Sequence, residues 1–172
     1  MGEYKLKLLT WFSLILIALA VASIDVMMFK INEFYAMPSK EPAVTNIVFN
    51  DVWYKISILI FSVPAIFTYY VTRKKSKFVL VIVAGMVLIF FGLEDVLYFA
   101  IRGIIIPNEL YTLSQLSPNS FTKIGFINYM PTELYWLNTN PCISIFGSPV
   151  TPFVLFKSTA FALALSFVLV MI

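Results

Sequence analysis

Four stretches of this chain are apolar for long enough to cross a bilayer as a helix, and the polar residues collect between them. Crossing the hydrocarbon core takes about 20 apolar residues. The stretches cover residues 8–29, 52–72, 78–101 and 151–172. The pattern predicts an all-α integral membrane protein: about four transmembrane helices in one bundle, forming a single domain over residues 1–172. The first stretch has a feature shared with secretory signal peptides, a basic start at Lys5 and Lys7 followed by apolar residues with small ones at Ala18, Ala20 and Ala22. Its apolar run resumes past Asp25 through Phe29, which favours an uncleaved spanning helix.

The connection over residues 102–150 does not fit a solvated linker. It is too long for an idle turn, and it carries Ile104, Ile105, Ile106, Phe121, Phe126, Tyr129, Tyr135, Trp136 and Phe146. Prolines 107, 118, 131, 141 and 149 divide it. Short helices are expected over 107–115 and 131–137, with proline accommodated in each first turn. Backbone that enters lipid must be paired internally or packed on protein. The connection is therefore expected to lie over one end of the bundle as a cap of short interfacial helices.

Charge sets the orientation. Arg73, Lys74, Lys75 and Lys77 crowd the link between the second and third stretches, with no acid among them. Basic residues in short loops mark the cytoplasmic side. Lys5 and Lys7 then lie on that same side, both termini are expected in the cytoplasm, and residues 30–51 and 102–150 face outward. Trp11, Tyr69 and Tyr70 fall at the inner boundary and Trp53 at the outer one, as an aromatic belt predicts. The basic link is short and membrane-bound, so anionic lipid suits it and nucleic acid does not.

Composition agrees. Of 172 residues, 60% are hydrophobic and only 12% charged, against about 25% in a soluble domain. Histidine is absent, which removes the commonest general base and the commonest zinc ligand. A single cysteine, Cys142, excludes an intramolecular disulfide and paired-cysteine metal or redox motifs. There is no P-loop, GxGxxG, GxSxG or HExxH. Nothing in the chain calls for a cofactor or a metal.

The candidate chemistry is a set of ionisable residues inside the spans: Asp25, Glu94, Asp95 and Lys157. Such groups are costly in lipid and usually face the bundle interior. At about 1.5 Å per residue, Asp25 lies roughly 6 Å from the outer end of its helix, and Glu94 and Lys157 roughly 10 Å from theirs. Asp25 shares a face with Ala18 and Ala22, and Lys157 with Ala160 and Ala164. Glu94, Asp95, Tyr98 and Arg102 occupy one wedge of the third helix, flanked by Gly85 and Gly92. Small residues mark close helix approach, so the charges are expected on interface faces, in one outer cluster with Tyr98 and Arg102 at its margin. Glu133 opens the expected 131–137 helix and could fold over this cluster. The same charges could instead be structural, with Arg102 or Lys157 extending toward the headgroups.

Three functions fit. The first is a binding or transport-type protein, or a membrane-assembly subunit, with a carboxylate-rich pocket open to the outer face. Four helices are few for a complete transporter, so a homo-oligomer or a partner membrane subunit is implied alongside membrane lipids. The second is a membrane enzyme acting on a lipid or lipid-linked substrate, using the carboxylates as acid and base or as ligands for a hard cation. The third is a scaffold whose charges only set helix register.

Overall fold

The computed structural model describes residues 3–28, 44–105, 121–124, 127–134 and 137–172. Its order is α1 (Glu3–Met28), α2 (Val44–Thr72), α3 (Lys75–Phe90), α4 (Leu93–Ile105), β1 (Phe121–Ile124), β2 (Ile127–Pro131), α5 (Pro141–Ser144) and α6 (Pro152–Met171). The architecture is helical, with one short β-hairpin added. Segments Glu3–Val26 and Pro152–Met171 are each long and apolar enough to cross a membrane, and α3 with α4 makes a third if the bent pair counts as one span. These spans point to a multi-pass membrane protein. Among the described residues, Ile58–Thr72 of α2 is apolar but shorter.

The arrangement follows from small residues and shape. Helix α1 packs on α2, α3, α4 and α6. Its Leu14 and Ala18 share a core with Phe61 and Ala65 of α2, Val81, Ala84 and Leu88 of α3, and Ala162 of α6. Gly85 lets α2 approach α3: a Cβ there would lie 2.5 Å from Phe61 Cγ, well inside contact distance. Outward-facing Leu16, Leu59, Val63 and Phe153 are exposed. In a bilayer such residues face lipid tails as apolar as themselves.

The third hydrophobic stretch is one run in sequence but two helices in space. It bends by 56° between α3 and α4. Phe91 ends the first helix, with its N–H donating to Val87 O, and Gly92 follows at φ +87° with its N–H donating to Ile89 O. Only glycine adopts that backbone without strain. The same position touches α5 and α6, because a Cβ on Gly92 would collide with Leu155 Cδ1 and lie 3.2 Å from Ile143 Cδ1.

A break in a membrane helix frees backbone groups that lipid cannot satisfy. In a continuous helix the carbonyls of Phe90 and Phe91 would accept the N–H groups of Glu94 and Asp95. Here Asn140 Nδ2 donates to Phe90 O at 3.0 Å. Ser158 Oγ donates to Phe91 O at 2.9 Å, and Thr159 Oγ1 approaches it at 3.4 Å. The bend is thus held by side chains from two other parts of the chain.

The connection between α4 and α6 packs on the helices, but not in the expected form. Ile127, Met130, Leu134, Leu137, Ile143 and Val150 are buried together with Val96 and Phe99 of α4 and Val154 and Leu155 of α6. The expected 107–115 helix lies outside the described residues. The expected 131–137 helix is corrected: β1 and β2 pair antiparallel, with Thr122 opposite Met130, and Pro131 closes β2. Leu134 N–H then donates to Val150 O at 2.8 Å. A seven-residue helix is marginal by itself, whereas a hairpin satisfies its backbone groups within a few residues. Pro131, which has no N–H, stands at a strand end where none is needed. Asn140 caps α5 by accepting Cys142 N–H at 3.0 Å, and Thr151 caps α6 by accepting Val154 N–H.

Candidate functional site

The helix break gives the two adjacent acids one common cause. Glu94 and Asp95 occupy the first turn of α4. A helix N-terminus carries partial positive charge and favours acidic side chains by about 0.3–2 kcal/mol, most when partly buried. Seen as the middle of one continuous span, the same two acids have no such partner. The break was foreshadowed by Phe90-Phe91-Gly92-Leu93-Glu94-Asp95, a glycine followed at once by acids, which is a helix-start pattern set inside an apolar run.

From Glu94 a polar line runs along one face of α4. Glu94, Tyr98 and Arg102 are spaced i, i+4, i+8, and all three are buried. Arg102 is only 1% exposed, and its Nη1 donates to Tyr98 Oη at 3.0 Å. The guanidinium carbon lies 5.6 Å from the centroid of the Tyr98 ring, and Phe99 meets that ring edge-on. Arg102 therefore turns inward rather than extending to the surface. Asp95 is half-buried on the adjoining face.

Asp25 reaches this line from α1, which packs closely on α4. Ala18 and Ala22 on its face are fully buried, and this close approach puts Asp25 against α4. The Asp25 and Glu94 side chains lie close enough to interact, and two carboxyl groups that hydrogen-bond to each other must hold a proton between them. Asp25 is 8% exposed, and its buried Oδ1 has no hydrogen-bond partner among the described residues. Such an atom is costly inside a protein. Among the described residues, no three His, Cys, Asp or Glu side chains stand close enough to hold a metal ion.

Lys157 stands apart from this group. It is exposed, with Nζ 4.3 Å from the centroid of the Phe153 ring one turn earlier. Ala160 and Ala164, on its face, are exposed as well. The buried face of α6 is instead Leu155, Ser158, Thr159, Ala162 and Ser166. Small residues do mark the interface, but serine and threonine carry it because α6 must supply donors to the broken helix. Ser166 Oγ also accepts Trp11 Nε1–H at 3.1 Å.

Glu133 is half-buried and does not begin a helix. It accepts from Asn138 Nδ2 at 3.3 Å, while Asn138 Oδ1 accepts Val150 N–H at 2.6 Å. That makes Glu133 part of the hydrogen bonding that folds the 127–150 segment.

No family model matches this chain, and no curated protein or solved structure does so either. The residues at the helix break that the sequence did not single out are Asn140, Ser158 and Thr159. Of the residues that act there, only Gly92 left a signal in the sequence.

Proposed function

We propose that this chain is a four-span membrane protein of the binding or transport type, or a small subunit of a membrane assembly, built around a proton-binding carboxyl pair. The pair is Asp25 and Glu94, and Asp95 adds negative charge beside it. The fourth span is α2, whose 29 residues exceed the length needed to cross. On this reading the end with the basic link between α2 and α3 is cytoplasmic and the pair lies toward the outer side, as the bias of basic loops favours.

The observation that supports this reading is the burial of Asp25 and Glu94 on two helices packed together, with Asp25 Oδ1 lacking a hydrogen-bond partner among the described residues. Buried carboxyls within membrane spans are the usual parts of proton relays. A pair that shares one proton can release or take up a second as its surroundings change. The broken helix α3–α4 supports the same reading, since discontinuous helices present their N-termini to charged groups in membrane-binding sites.

Infrared difference spectroscopy of the protein in liposomes during a pH titration tests it. A protonated carboxyl C=O band should be present and should be lost or shifted in both Asp25→Asn and Glu94→Gln. Tyr98→Phe should leave the band in place. If no such band exists, or if neither substitution alters it, the pair does not bind a proton in this way. If both variants change thermal stability alone, the charges only set helix register.

A further inference from the structure

At the opposite end of the bundle, the ends of α1, α2, α3 and α6 line a narrow cleft with about 20 Å³ of interior space, open to the surface. Its polar lining is Glu3 and Lys7 from α1, Thr10 deeper on the same helix, Thr68 and Thr72 from α2, and Lys77 from α3. Apolar side chains of α3 and α6 complete its walls. A shallower groove shares Glu3 and Lys7 and continues over Phe167 and Met171 of α6.

Two cations from different helices, Lys7 and Lys77, line this one cleft. Like charges so arranged repel unless an anion lies between them. Glu3 offsets this only in part: its carboxylate is 3.5 Å from Lys7 Nζ and is 67% exposed, where an ion pair contributes little. Lys7 Nζ also donates to Met171 O at 2.6 Å, at the C-terminus of α6, which fixes the lysine over the cleft. The first turn of α3 opens beside it, and its N-cap residue Lys74 makes no side-chain cap. Helix N-termini favour anions.

We propose that the mouth of this cleft binds the phosphate of an anionic phospholipid between Lys7 and Lys77, with an acyl chain lying in the groove beside Phe167. The source is a lipid rather than free phosphate because the cationic pair adjoins apolar walls at a membrane boundary. Basic pockets between helices at the cytoplasmic face take such headgroups. This proposal is independent of the carboxyl pair: it uses no residue of that site.

Native mass spectrometry of the full chain, released from liposomes of phosphatidylcholine mixed with phosphatidylglycerol, tests it. Wild type should retain phosphatidylglycerol in preference to phosphatidylcholine. Lys7→Gln with Lys77→Gln should reduce retention by about tenfold. Lys5→Gln with Lys75→Gln removes the same charge from exposed positions and should reduce it less than about twofold. Added inorganic phosphate should not compete if the acyl chain contributes. Competition by phosphate at equal concentration would assign the cleft to a free anion and overturn the lipid assignment. Equal losses from the two double variants would reduce the effect to general surface charge, which also overturns it. Were the first double variant not to fold, the wild-type comparison still decides: no preference for phosphatidylglycerol ends the proposal.

Discussion

An alanine at position 92 would meet two obstacles at once. Its backbone would be held at φ +87°, and its Cβ would collide with Leu155. A non-glycine residue at positive φ and an overpacked contact cost about 1–3 kcal/mol each. Gly92→Ala should therefore lower stability by about 2–6 kcal/mol, read by thermal unfolding in detergent. Adding Leu155→Ala should recover the steric share but leave the backbone share. Full recovery would mean that the positive φ carries no strain. Lys157 is the counter-example at this scale. Its contact is an exposed cation on a ring, so Lys157→Met should change stability by no more than about 1 kcal/mol. A larger loss would place Lys157 in the bundle interior, where the sequence had put it.

At the scale of elements, the joint between α3 and α4 depends on donors carried by distant segments. Asn140 has two tasks: its Oδ1 caps α5, and its Nδ2 donates to Phe90 O. Asn140→Asp keeps the capping acceptor and removes the donor, turning an oxygen toward a carbonyl. It should destabilise by about 1–3 kcal/mol, from the lost hydrogen bond and the repulsion of two facing oxygens. Wild-type stability of Asn140→Asp in chemical unfolding would show that capping α5 is its whole contribution. The hairpin β1–β2 and the residues after it follow the same logic. Their apolar side chains are buried on α4 and α6, so the segment is a structural layer of the protein and not a tether between spans.

For the whole molecule, orientation is what remains to be measured. Ser76, in the first turn of α3, and Ser148, before α6, are both exposed. Each can be replaced by cysteine in a Cys142→Ser background. In intact cells a membrane-impermeant thiol reagent should label Ser148→Cys and spare Ser76→Cys. The reverse result would invert the protein, placing the carboxyl pair toward the cytoplasm and the lysine cleft outside.

The hydrophobic run lengths determined by themselves that the chain forms long apolar helices, because the bilayer dimension sets a length that composition alone can meet. The spacing of Asp25 from Ala18 and Ala22, and of Glu94 from Tyr98 and Arg102, was also legible, since helical periodicity fixes which residues share a face. The tertiary structure alone decided which faces meet. Ala160 and Ala164 were as plausible an interface as Ser158 and Ala162, and the choice fell to the face that could donate to Phe91 O. It also decided that one apolar run is two helices, because a break at Gly92 is tolerable only when Asn140 and Ser158 are close enough to take the freed carbonyls. Residues 131–134 became the end of a strand and its exit for a similar reason: short segments take the backbone form their neighbours can pair and bury. Local sequence carries periodicity and length, but the partners of a backbone carbonyl fifty or more residues away are settled only when the chain has folded.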